Sequence, residues 1–347
     1  MSVRLKRILA AAAAIIVLVL IFAFLQALLV PKYMESTQEG AMIAEYYDEP
    51  VSHDVLFVGD CEVYECFIPS VLYQEYGITS YVRGSAQQLI WQSYYLLEEM
   101  LERESPKVVI YSVMALKYGT PQNEAYNRMT LDGMQWSKSK WNAIKASMTE
   151  GENMLSYIFP ILRFHSRWSD LSSEDFTYLF SKDPVTYGGY LPQTGVVPKT
   201  STREGDKLKD YRLPETSMAY LDKMLKLCRS HGAELVLLKS PTNSWKYWWY
   251  DAWDEQVFAW ADEHQVGYYN LIPSDWEIGL DWDLDTYDGG IHLNLSGAEK
   301  LSSWFGKILK NDVELPDRRG QADTDDYYGK MAERLNQLKE KNQNEQD

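Results

Sequence analysis

Positive charge is scarce in this chain: 34 Lys and Arg face 50 Asp and Glu, a formal net charge of -16. Phosphate binding needs clustered Lys and Arg, so nucleic acid is excluded as a partner, and a solvated acidic surface is the simplest reading. Cysteine is rare as well. An odd count of three leaves at least one thiol unpaired within the chain. A Cys61–Cys66 bridge would span a strand-to-helix turn and consume a candidate nucleophile, and Cys228 fits a small buried apolar residue in a helical pattern. Only five histidines are present. His53, His165, His231 and His264 show no metal-ligand spacing and read as surface or satisfied side chains. Asp281, Asp283 and Asp285 hint at a calcium loop, but the sixth position is Thr286 and the twelfth is His292, so the EF-hand pattern fails. No metal or cofactor is expected, and no internal repeat is visible.

What is present begins at the N-terminus. Ile8 to Val30 is an uncharged, almost wholly apolar run of 23 residues preceded by Arg4, Lys6 and Arg7. A helix of about 20 residues spans the hydrocarbon layer, whereas a cleaved signal peptide has a shorter apolar core and a small-residue cleavage site. The run ends at Val30-Pro31-Lys32, which favours an uncleaved signal anchor. The basic residues keep the N-terminus cytoplasmic and put the remainder outside. The expected organisation is a cytoplasmic N-terminus and anchor over 1–31, a linker over 32–50, an α/β domain over 51–310 and a charged tail over 311–347, whose last residues, 339–347, read as disordered or a frayed helix.

Short apolar segments alternate with helical patterns, which predicts a parallel sheet covered on both faces. The strand candidates are Val55–Val58, Ser80–Val82, Val108–Val113, Leu235–Leu238 and Gly267–Asn270. Helices are predicted from Pro69, over 87–103, 214–230 and 251–264, and after His292. In the last, Ser296-Gly-Ala-Glu299 reads as a capping box, with Ala298, Leu301, Phe305 and Ile308 facing the sheet. Residues 117–213 interrupt the alternation. They read as an insertion that either caps the active-site edge or forms a peripheral subdomain.

Two distant segments carry the chemistry. Asp54-Val-Leu-Phe-Val-Gly-Asp-Cys61 ends a buried strand in a Gly-Asp-Cys turn, and Asp288-Gly-Gly-Ile-His292 precedes the last helix. Open parallel sheets bind ligands at the C-terminal ends of their strands, so both segments converge on one edge. A thiol nucleophile, an imidazole base and a carboxylate orienting the base are the minimum set for covalent acyl chemistry. The alternative for Cys61 is a small buried filler in a site that has lost its activity. Asp60 reads as a cap of the turn. Asp285 is the fallback partner for the histidine.

These two blocks resemble the SGNH/GDSL hydrolase superfamily, which has Gly-Asp-Ser after its first strand and Asp-x-x-His near its C-terminus. The nearest likeness is to membrane-anchored bacterial envelope members. Cys61 stands where the superfamily has serine, and Asp288 precedes His292 by four residues in place of three. Gly289 and Gly290 offer a bulge to absorb the extra residue. The resemblance implies a flavodoxin-like three-layer sandwich with a central parallel sheet. It also implies an oxyanion hole from the Cys61 amide and Gly84. The asparagine that supplies a third donor after the third strand is missing, leaving Ser112 or Asn123 as stand-ins.

By the same resemblance the function is esterase or acyltransferase chemistry through a Cys61 thioester on envelope glycan or glycopolymer esters, with a membrane-bound O-acyltransferase as a potential partner. The alternative is a catalytically silent glycan-binding or envelope-assembly protein. The aromatic run Trp245-Lys-Tyr-Trp248-Trp249-Tyr250 reads either as sugar-stacking faces or as core and membrane-proximal packing.

Overall fold

A computed structural model describes residues 2–30, 40–181, 183–201 and 203–346, without the side chains of 248, 345 and 346. Five parallel strands form one sheet in the order β2-β1-β3-β4-β5: β1 Val55–Gly59, β2 Ser80–Gly84, β3 Val108–Ser112, β4 Glu234–Lys239 and β5 Gly267–Asn270. This is the flavodoxin-like order, in which the chain reverses direction across the sheet beside β1. The α/β sandwich expected from the alternation is observed.

Side-chain alternation along β1 builds both cores. Leu56 and Val58 point to one face, where α4 (Ile90–Arg103), α5 (Glu215–Ser230) and α6 (Asp251–His264) supply Ile90, Leu97, Leu221 and Val257. Val55 and Phe57 point to the other, where α3 (Pro69–Tyr76) and α7 (Leu295–Asp312) supply Leu72, Leu301, Phe305 and Leu309. A four-residue helix, α2 (Cys61–Tyr64), follows β1 directly. The apolar N-terminal run forms α1 (Val3–Leu29), long and apolar enough to cross a membrane, exposed over most of its length and buried only at its end, at Leu28 and Leu29.

Three expectations change. Residues 32–39 of the expected linker lie outside the described residues, but from Ala41 onward the chain belongs to the domain: Met42, Ile43 and Tyr46 are buried in three different apolar clusters. Beyond 311 the charged tail packs on the domain as a helix. Ala322–Gln346 form α8, whose Tyr328 stacks on Tyr73 with centroids 4.3 Å apart. The Tyr328 hydroxyl accepts from Ser80 N and donates to Ser80 O, closing part of the exposed edge of β2. The few apolar residues Tyr328, Met331 and Leu335, at helical spacing among many charges, are all buried. Last, α7 begins two residues early. Its cap is Asn294, which accepts from Gly297 N at 3.2 Å, while Ser296 donates to Asp285. Of its expected sheet-facing residues, Ile308 is only half-buried and Leu309 takes the core position.

Candidate active site

The end of β1 is squeezed against β3. Gly59 has φ +149, and a Cβ there would lie 2.8 Å from Ser112 Cβ, so no larger residue fits the approach. Asp60 then caps α2, accepting from Glu62 N at 3.1 Å and from Ser112 Oγ at 3.1 Å. The turn is fastened from beneath as well. Glu62 forms a buried ion pair with Lys239, the last residue of β4, and accepts from Ser240 N, while Ser240 Oγ donates to the Glu62 carbonyl at 2.6 Å. Cys61 is thus held at the C-terminal edge of the sheet, partly open to solvent.

The facing loop is built around its own hydrogen bonds. Asp288 Oδ1 accepts from Ile291 N and His292 N at 3.2 and 2.9 Å, and Thr286 Oγ1 accepts from Gly290 N at 2.9 Å. Gly289 and Gly290 carry φ of +85 and +98, the bulge that accommodates the longer Asp–His spacing. Asp288 Oδ2 lies 2.6 Å from His292 Nδ1, and His292 Nε2 lies 3.1 Å from Cys61 Sγ. Because Nδ1 faces a carboxylate it carries the proton, leaving the Nε2 lone pair to accept the Cys61 S–H. Asp285, the fallback, is engaged elsewhere: it accepts from Ser296 Oγ at 2.8 Å and Lys300 Nζ at 2.5 Å.

Two residues that sequence reasoning missed complete the surroundings. Glu65, buried, accepts from the Tyr287 hydroxyl at 3.0 Å, and the Tyr287 ring lies parallel to His292 with centroids 6.0 Å apart. Burial pushes the Glu65 carboxyl up to about 6. Burial opposes charge on His292, but the Asp288 hydrogen bond and the Glu65 carboxylate outweigh it and raise its pKa above 6.5. Asp288 stays below the usual carboxylate range: burial is outweighed by the same hydrogen bond and by two backbone amides. The Cys61 thiol moves the other way, raised well above its ordinary value by burial and then by Asp60, Glu65 and Glu62. Asp60 itself is lifted to about 7, by burial and by Glu62.

Other expected residues fall as follows. Gly84 ends β2 beside Gly59, close against the Tyr64 ring of α2. Ser112 sits under the turn with its hydroxyl given to Asp60 and Glu62, so it is no free oxyanion donor. Asn123 is exposed and caps the helix Glu124–Leu131. Trp249 corrects the sugar-face reading: it is 1% exposed and packs on Trp253 in the core under α6. Trp245 is half-buried, and the Trp248 side chain lies outside the described residues. The loop ahead of them does reach the site, since Asn243 N donates to Gly290 O at 2.9 Å.

The insertion divides in two. Its helices pack peripherally around Leu131, Ile144 and Tyr157. Its return strand-like segment laces along the histidine loop, with Val197 N donating to Thr286 O and Gly289 N donating to Val197 O, at 3.0 and 3.1 Å. A cavity of about 820 Å³ lined by Glu45, Glu49 and Arg334 contains none of the Cys61, Asp288 and His292 side chains.

Neither a family model nor a curated protein matches the sequence. Among solved structures the chain is similar to a protein from Desulfitobacterium hafniense DCB-2 assigned to the lipolytic G-D-S-L family, at 11% identity and TM-score 0.36 over 74% of this chain and 98% of that one. It is also similar to a GDSL-like lipase from Bacteroides thetaiotaomicron VPI-5482, at 12% identity and TM-score 0.33 over 79% of this chain and 100% of that one. Superpositions this loose transfer no function, and the chemistry below stands on the geometry of this chain.

Proposed function

We propose that this chain is a membrane-anchored, extracytoplasmic acyl-ester hydrolase or acyltransferase of the SGNH/GDSL type that works through a Cys61 thioester. The observation that carries this reading is the unbroken hydrogen-bond chain from Asp288 through His292 to Cys61. Three residues from two loops 231 positions apart meet in the order that nucleophilic catalysis needs.

His292 Nε2 takes the thiol proton as sulfur attacks the ester carbonyl. The carbonyl electron pair moves to oxygen, where the Cys61 amide and the Gly84 amide are the candidate donors. Collapse of the tetrahedral intermediate expels the alcohol, which leaves with the proton returned by His292. Water, or an acceptor hydroxyl, then gives its proton to His292 and attacks the thioester, and sulfur leaves to regain the proton. The ring of carboxylates suits this sequence: it disfavours a resting thiolate but stabilises the imidazolium formed as the negative charge passes to the substrate. The substrate class that the resemblance suggests is an acylated envelope glycan or glycopolymer, held near the membrane by α1.

The silent-module reading is favoured by the missing third-strand asparagine, which neither Ser112 nor Asn123 replaces, and by the Cys61 thiol raised well above its usual pKa. Turnover of activated acyl esters separates the two. Release of alcohol by the full-length protein in detergent, abolished in Cys61→Ala and His292→Ala, supports the enzyme. Background rates for all three proteins, each shown to be folded, would support the silent module.

A further inference from the structure

The helices of the insertion nearest the anchor carry an unusual surface. Between 154 and 180, Leu155, Phe159, Leu162, Trp168, Phe176 and Phe180 are all exposed, Trp168 to 69% and Phe180 to 89%. Single exposed apolar residues need no explanation, but six large ones within 26 residues concentrate apolar surface in one segment, as interaction surfaces do.

This patch is continuous with the anchor. Phe159 meets Phe22 of α1 edge to face, with centroids 5.8 Å apart. Leu28 and Leu29 are buried where α1 arrives, and Arg167 Nη1 donates to the Leu29 carbonyl at 2.9 Å. Phe22 stands seven residues before Leu29. At 1.5 Å per residue, that is roughly 10 Å back along the helix, inside the stretch that would fill the hydrocarbon layer. The 154–180 segment therefore extends alongside the membrane-spanning helix and does not merely rest beyond its end.

Its polar groups are arranged to match. Asn153, Ser172 and Asp175 each accept a backbone amide of their own short turns, and Asp175, fully buried, pairs with Arg167 at 2.8 Å. Backbone amides capped within the segment, with aromatic and leucine side chains exposed, suit the bilayer interface.

We propose that residues 154–180 are an outer-leaflet platform, a monotopic insertion whose partner is the lipid bilayer. This rests on the reading of α1 as a membrane anchor. With both elements in the bilayer, the domain is fixed in orientation and does not swing on a tether, and its candidate active site stays at a set height above the lipid headgroups.

The test uses full-length protein in vesicles of phosphatidylethanolamine and phosphatidylglycerol. A benzophenone side chain replaces, in turn, Leu162, Phe180, Leu18 in α1, and the distant exposed Phe258 and Trp276, and lipid adducts are measured after irradiation. Adducts at Leu162 and Phe180 comparable to those at Leu18, and several-fold above Phe258 and Trp276, are expected. Adducts at Leu18 alone would overturn the platform and leave the anchor standing. Absence of adducts at Leu18 as well would overturn both, and protein–protein adducts at Leu162 and Phe180 without lipid would make the patch a protein interface.

Discussion

Two opposing electrostatic demands meet at the residue scale, where the thiol of Cys61 lies 3.1 Å from His292 Nε2 while Asp60, Glu62 and Glu65 surround it. A preformed thiolate–imidazolium pair is unfavourable in that field, so the neutral imidazole must act as general base. His292 has its pKa raised above 6.5, and it can accept a proton only when deprotonated. Acylation should therefore rise with pH, with a midpoint above 6.5. Replacing Glu65 by Gln removes a charge that favours the imidazolium, so the midpoint of the acylation profile should move to lower pH; an unmoved midpoint would show that Glu65 does not act on His292. Asp288→Asn should leave the fold intact and lower the acylation rate by a factor on the order of 10² to 10⁴, because the ring loses its preferred tautomer. Cys61 and His292 were legible in the sequence because the sheet-edge rule brings strand ends together. Glu65 and Tyr287 were not: their hydrogen bond joins positions 222 apart, and neither belongs to a motif.

Among the elements, α2 depends on a buried ion pair more than on its own length. Its four residues are too few to hold a helix alone, and Glu62 ties them to Lys239 at the end of β4. Lys239→Met would leave Glu62 uncompensated and should cost about 3–5 kcal/mol. Glu62→Leu combined with Lys239→Met should recover much of that loss, and chemical denaturation of the single and double variants would check it. A loss in the double variant equal to the sum of the two single losses would mean the charges are not coupled. The strands and core helices followed directly from periodicity. The start of α7 did not, because Ser296 and Asn294 are both acceptable caps and the choice was made by Asp285, which takes the Ser296 hydroxyl. Trp249 was misleading for a similar reason: an aromatic run shows no period that separates a core face from an exposed one.

For the whole molecule, the segments flanking the sandwich are integral to it. His53, just before β1, is buried against Glu104 at the end of α4, 3.1 Å from Nδ1 to Oε2. Burial opposes its charge, but Glu104 and Glu49 prevail and raise its pKa to about 9. Its contribution to stability is fully present below about 6.5 and lost as pH rises through about 9. Thermal unfolding followed across that window should show Tm falling, and His53→Gln should flatten this part of the profile; an equal slope in the variant would assign the effect to other groups. The C-terminal helix α8 escaped sequence reading because its three buried anchors are diluted by charge over 25 residues, and only the edge of β2 reveals what they cover.

The measurement that bears most directly on the central claim is the intact mass of the reduced, full-length protein after exposure to an activated acyl ester. A single acyl adduct should appear on Cys61, be absent in Cys61→Ala and form slowly in His292→Ala. A folded protein that gains no mass from any of several acyl donors, or gains it equally in Cys61→Ala, would contradict a thiol acyl-enzyme.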